Sequence, residues 1–167
     1  MANQPRAGGI PFLGLDHARF MLRAIEEAKK VPALPFGAVI VHGQTGEEIA
    51  AGHNLSTDSP TFHGEIVVIN RCAAAHPAID WTQLVLYTTA EPCPMCQAAI
   101  EWAGLPLVVY GSSIPFLGSI GWYQIDIRAE EVSRRTPFRR STVIGGILEE
   151  ECNALFRAAP KGAFRHG

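Results

Sequence analysis

Three soft side chains, far apart in the chain, carry the chemistry that can be read first: His63, Cys93 and Cys96. One imidazole and two thiolates suit Zn²⁺, and three protein ligands leave the fourth tetrahedral position to water, which marks a catalytic ion rather than a structural one. Cys93 and Cys96 lie three residues apart, so a single helical turn aims both sulfurs at one ion. Pro94 suits the first turn of that helix, and a helix N-terminus favours the thiolate form. Glu65, two residues beyond His63, is a harder ligand than this set needs. Its expected role is general acid and base: a bound zinc lowers the pKa of water toward ~7, and a carboxylate alongside takes that proton and hands it to a leaving amine. A structural zinc site would call for a fourth Cys or His at matching spacing, whereas Cys72 and Cys152 stand alone in the sequence.

His-x-Glu followed by Pro-Cys-x-x-Cys is the signature of zinc nucleobase deaminases. Both parts are here, as His63-Gly64-Glu65 and Pro92-Cys93-Pro94-Met95-Cys96, so the chain resembles the cytidine/deoxycytidylate deaminase superfamily over roughly residues 15–156. That resemblance implies an α/β fold, a three-layer α/β/α cytidine-deaminase-like domain with a mixed five-stranded sheet. It also implies one Zn²⁺ per chain, hydrolytic release of ammonia, and a homodimer or larger assembly whose neighbour helps wall the site. Pro35-Phe36-Gly37-Ala38-Val39-Ile40-Val41, Asn54 and Glu91-Pro92-Cys93 are most similar to the guanine deaminase, fungal-type cytosine deaminase and tRNA adenosine deaminase branch. In those relatives the residues matching Phe36 and Asn54 contact the base and the N–H of the residue matching Gly64 faces it. Arg134 to Phe138 resembles guanine deaminases, while His-Gly-Glu and Leu105-Pro106 resemble cytosine deaminase. Guanine deaminases carry an acid in the loop beyond the fourth strand; residues 119–124 have none here, and Asp126 is the nearest.

The elements that must position these groups follow from pattern. Asp16 is a plausible N-cap for a helix with Ala18, Met21, Leu22, Ile25 and Ala28 on one face. Pro32 and Pro35 break the chain before a β-branched run from Phe36 to Val41, and a Gly-rich turn at 43–46 then makes a hairpin with residues 47–53. Asn54 offers donor and acceptor edges to a heterocycle, and is equally a turn-forming residue type. A second helix runs from His63 to about Ala75, with Cys72 a small buried hydrophobe and His76 a C-terminal capping cation. Leu84 to Thr88 is a third strand; the cysteine helix ends at Ala103 before Gly104 and Pro106; Leu107 to Tyr110 is a fourth strand. Alternation of strand and helix after the hairpin requires crossovers and a mostly parallel remainder. Ser112 to Trp122 reads as a Gly- and aromatic-rich loop suited to cover a site, and Trp122 is a candidate substrate contact or a core or interface aromatic. A short helix at 129–134, a strand at 141–144 and a last helix bearing Leu148, Cys152, Leu155 and Phe156 complete the order.

Bulk properties bound the rest. With 167 residues, 47% of them hydrophobic, the chain suits one domain at residues 15–158, between an irregular arm (1–14) and a tail (159–167). Four cysteines, two taken by the metal, leave no disulfide framework and point to a reducing compartment, the cytoplasm. There is no signal-peptide pattern and no run of about 18 apolar residues to span a membrane. A net charge of −2 lays down no general footprint for nucleic acid, which favours a small-molecule nucleobase as partner. Arg134, Arg135, Arg139 and Arg140 form the local exception, either a solvated loop or a phosphate contact for RNA. The function expected from all this is zinc-dependent deamination of a free nucleobase or related amino-heterocycle, guanine deaminase-like; the alternatives are a tRNA-specific adenosine deaminase or a cytosine deaminase.

Overall fold

The computed structural model describes residues 11–12 and 14–160. The expected arm and tail therefore lie for the most part outside the described residues. Among the described residues six α-helices and five strands follow in the order α1 (His17–Lys29), β1 (Gly37–His42), β2 (Glu48–His53), α2 (Gly64–Ala75), β3 (Leu84–Ala90), α3 (Pro94–Ala103), β4 (Leu107–Ser112), α4 (Ile114–Ser119), α5 (Ala129–Arg135), β5 (Thr142–Ile144) and α6 (Glu149–Ala158), with a short 3₁₀ turn at Trp81–Gln83. Among the described residues no helix is long and apolar enough to cross a membrane.

The strands form one mixed sheet in the order β2-β1-β3-β4-β5. β1 pairs antiparallel with β2 and β3, while β3–β4 and β4–β5 are parallel, as the hairpin and the two crossovers require. Alternation along β1 sends side chains to both faces: Val39 and Val41 meet Phe20, Met21, Ala24 and Ile25 of α1, whereas Ala38 and Ile40 meet Val68 and Cys72 of α2 and Ile100 of α3. Both faces of the central strands are covered, which is why β3 and β4 are buried along their whole length. The result is the three-layer α/β/α sandwich, with α1 and α6 on one side and α2 and α3 on the other. Close approach of α1 to β1 depends on Gly37, where a Cβ would come within 2.1 Å of the Ala24 carbonyl oxygen.

One difference from the sequence reading concerns the stretch after β4. Residues 112–122 are not a continuous loop, because Ile114–Ser119 form α4. Ser113 caps it through a bond from Phe116 N (3.2 Å), and Pro115 sits in its first turn, so the local chemistry of a helix start outweighs Gly118. Beyond the strand ends, Phe36 and Phe116 pack against a third small cluster of Ala90, Leu117, Trp122 and Phe156.

Candidate active site

Antiparallel pairing of β1 with β3 puts the start of one beside the end of the other. Ala38 faces Thr88, and the Gly37 N–H donates to Thr89 Oγ1 (3.1 Å), whose hydroxyl donates to the Pro35 carbonyl (3.0 Å). This fixes Phe36 at the mouth of the sheet, where the N-termini of α2 and α3 also arrive. His63 and Cys93 are the N-cap residues of those two helices, both in extended backbone conformation. Cys96 follows in the first turn of α3 and is fully buried.

The three ligand atoms meet. His63 Nδ1 lies 3.6 Å from Cys93 Sγ and 3.6 Å from Cys96 Sγ. A tetrahedral ion with Zn–S near 2.3 Å and Zn–N near 2.0 Å separates its nitrogen and sulfur ligands by about 3.5 Å, so the donor types and their spacing both fit Zn²⁺. A hydrogen bond from the Cys96 thiol holds Cys93 at about 4, and the same contact together with burial pushes Cys96 well above the ordinary thiol value. Hydrogen bonding to Cys93 in turn raises His63. An anionic cluster of this kind is what a divalent cation neutralises.

Glu65 sits in the first turn of α2, where a negative charge is favoured, with 3% of its surface exposed. Thr88 donates to its Oε1 at 3.0 Å. Burial, then the negative charge of Cys93, raise its pKa against the opposing pull of His63. Such a carboxyl can hold a proton closer to neutral pH than a solvated one.

A narrow cleft opens over the ligands, about 310 Å³ of empty space with its mouth included, lined by Phe36, His63, Glu65, Glu91, Cys93, Trp122, Tyr123 and Gln124. Phe36 lies nearly parallel to the His63 ring (17°, centroids 6.5 Å apart). Its other neighbours are Trp122, edge-on at 5.7 Å, and Phe156 at 5.0 Å; the Trp122 indole N–H donates to the Phe156 carbonyl at 3.2 Å. Gly64 is at the first position of α2, and a Cβ there would stand 2.8 Å from the Phe36 carbonyl oxygen, so the glycine lets helix and strand meet. Asn54 is buried behind this wall, its N–H donating to the same carbonyl at 2.8 Å. Its Oδ1 accepts from Ser56 N (2.9 Å) and Ser56 Oγ (2.7 Å), the local turn-forming bond.

Sequence reasoning gave no separate role to Thr88, Glu91, Gln124 or Phe156. Thr88 and Glu91 flank the cysteine motif, and a buried Thr-Thr-Ala-Glu run at a strand end was the available signal. Gln124 lies in a stretch with no period, and Phe156 reads simply as helix face. The arginine-rich segment stands elsewhere: Phe138 packs on exposed Trp102, centroids 5.0 Å apart, at the far end of α3.

Two soft ligands and an imidazole around one point, with a buried carboxyl beside them and aromatic walls above, define a metal-dependent hydrolytic centre of the nucleobase deaminase kind. The profile of the cytidine and deoxycytidylate deaminase zinc-binding region matches residues 15–112, and the chain belongs to that family. It is 35% identical over 144 residues to the tRNA-specific adenosine deaminase of Bacillus subtilis, covering 83% of this chain and 85% of that one. It is 36% identical over 141 residues to the guanine deaminase of the same organism, covering 77% and 88%. Among solved structures it is similar to guanine deaminase from Nitrosomonas europaea, with a TM-score of 0.74, 25% identity, and coverage of 94% and 96%. The protein is thus a zinc-family deaminase acting by hydrolytic C–N cleavage.

Proposed function

We propose that the substrate is a free nucleobase or a closely related amino-heterocycle, purine-sized and guanine deaminase-like, and that the protein acts as a cytoplasmic homodimer. The observation that carries this reading is the cleft: it is narrow and lined by the aromatic rings of Phe36, Trp122 and Tyr123 together with His63, Glu65 and Gln124. Zn²⁺ held by His63, Cys93 and Cys96 would supply a water of lowered pKa. Glu65, oriented by Thr88, would take one proton from the attacking water and pass it to the ring nitrogen as the oxygen bonds to the amine-bearing carbon, then take the second proton of that oxygen and hand it to the exocyclic amine, which leaves as ammonia as the C=O forms. Phe36 packs on the ring. The Gln124 carboxamide on the cleft wall offers a donor and an acceptor where an acid is absent, while Asn54 and Gly64, expected from the sequence to contact the base, stand outside the lining and would supply donors from behind it. Four free cysteines support a reducing compartment, and the exposed side chains of Ile120, Tyr123 and Ile125 beside the cleft support assembly with a second copy.

A specific observation favours one other reading. Trp102 is 79% exposed and packs at a 48° tilt against Phe138, next in sequence to Arg139 and Arg140, a combination of exposed ring and cations that suits single-stranded RNA. Ammonia release from guanine, adenine, cytosine, their nucleosides and an adenosine-containing tRNA anticodon stem-loop separates the two. The expected result is turnover of a free base, reduced about 10²- to 10⁴-fold in Glu65→Gln with zinc content unchanged. Turnover of the stem-loop alone, with strong salt dependence, would overturn it.

A further inference from the structure

The stretch between β4 and β5 passes over the cleft and brings Trp122, Tyr123 and Gln124 to its wall. Two short helices bound this covering segment, α4 beginning at Ile114 and α5 at Ala129. The first N–H groups of a helix have no acceptor within it and must find one outside. Here both helices find the same one. Glu91 Oε2 accepts from Ile114 N (2.9 Å) and Oε1 from Ala129 N (3.0 Å). Arg128 Nε donates to both oxygens, at 2.8 and 2.9 Å, and its Nη2 donates to the Tyr110 hydroxyl at 3.1 Å. The Glu91 side chain is 1% exposed, and its own N–H donates to the Ser112 carbonyl at 2.7 Å. α5 has no side-chain cap of its own, so the carboxylate takes that place from across the fold.

Only Pro92 separates Glu91 from Cys93. One rigid loop thus holds a sulfur ligand on one side and both ends of the covering segment on the other. We propose that Glu91 is a positioning residue: it ties the segment at residues 114 and 129 to the cysteine loop and so sets the height of Trp122, Tyr123 and Gln124 above the ligand set. A carboxylate is required because it only accepts; an amide in its place turns a donor toward one of two backbone N–H groups. Asp would fall a methylene short of spanning both. The proposal rests on the reading that the cleft receives the substrate.

Glu91→Gln in the zinc-loaded enzyme tests it. The expected result is amide hydrogen exchange about tenfold faster across residues 114–129 and unchanged across Pro94–Ala103, with zinc retained. KM for the best base in the ammonia screen should rise about tenfold while kcat stays within about threefold, since loosening the cover weakens binding of ground and transition states alike. Should Glu91→Gln fail to fold, Arg128→Met keeps the carboxylate and both N–H donors and should shift exchange and KM the same way by a smaller factor. Unchanged exchange, loss of zinc, or faster exchange with KM unmoved would each overturn the proposal. If the wild-type protein turns over no base, the substrate reading fails by itself, and the exchange comparison still decides whether Glu91 holds the segment.

Discussion

The N-terminus of α1 and those of α2 and α3 are built to opposite ends. At α1, Asp16 occupies the N-cap and its Oδ1 accepts from Arg19 N at 3.1 Å, a bond that serves only the helix. At α2 and α3 the same position is held by His63 and Cys93, with suitable extended backbone and no side-chain cap bond. A good N-cap contributes about 1 kcal/mol, so the two site helices forgo that local support and rely on the packing of Val67, Val68, Cys72, Cys96 and Ile100. In exchange, two side chains that project across the helix starts converge on one point, and Glu65 gains the first-turn position beside them. An N-cap can stabilise a helix or serve a neighbour, and this chain separates the two uses by element.

The largest effect that would break the comparison is loss of the ion. Cys96→Ala should lose its zinc on mild dialysis, lose ammonia release, and unfold at a lower temperature than the loaded parent, because binding to the folded state alone is folding free energy. Metal analysis, activity and calorimetry check this, and a fully loaded, active Cys96→Ala protein would remove the paired helix starts from metal binding. A middle-sized effect sharpens it. In chelator-treated protein, Cys93→Ser restores a capping oxygen to α3 and should raise stability by about 1 kcal/mol, whereas Asp16→Ala should lower it by about as much, with zinc uptake intact in the second and absent in the first. Denaturant midpoints of the same sign for both would mean that position 93 gives up no cap. The smallest effect lies at the other end of α1. Burial pushes the Glu27 carboxyl up, but hydrogen bonds and charge from Lys30 and His53 outweigh it and leave it lowered. A lowered carboxyl contributes stability above its ordinary value and loses it as pH falls through the lowered one. Unfolding midpoints of the wild type should therefore decline below about pH 4.5 more steeply than those of Glu27→Gln, by under about 1 kcal/mol. Parallel curves would assign the acid sensitivity elsewhere.

What the sequence made legible was whatever depends on residue type at short range. The ligands could be named because soft donors are few and their spacing to Glu65 and Pro94 is local. Strands β1, β3 and β4 follow from β-branched runs, and α1 from its cap and apolar face. Residues 112–128 were harder, since Gly118, Gly121 and scattered aromatics imitate a loop, while the signals that make α4, Ser113 and Pro115, occupy two positions. Glu91 was illegible as an anchor because its partners are main-chain N–H groups more than twenty residues downstream, which no spacing rule encodes. The packing of Trp122 on Phe36 and Phe156 joins three distant segments and depends on the finished sheet.

The missing methyl group at residue 64 reaches further than its size. Because the Phe36 oxygen stands where a Cβ would go, the height of α2 above β1 is set by backbone touching backbone. Alanine at this place would lift the helix that carries the ligand histidine and the acid away from the strand. Such an exchange would alter a spacing, and the shape of the slot would change although no atom lining it had been replaced.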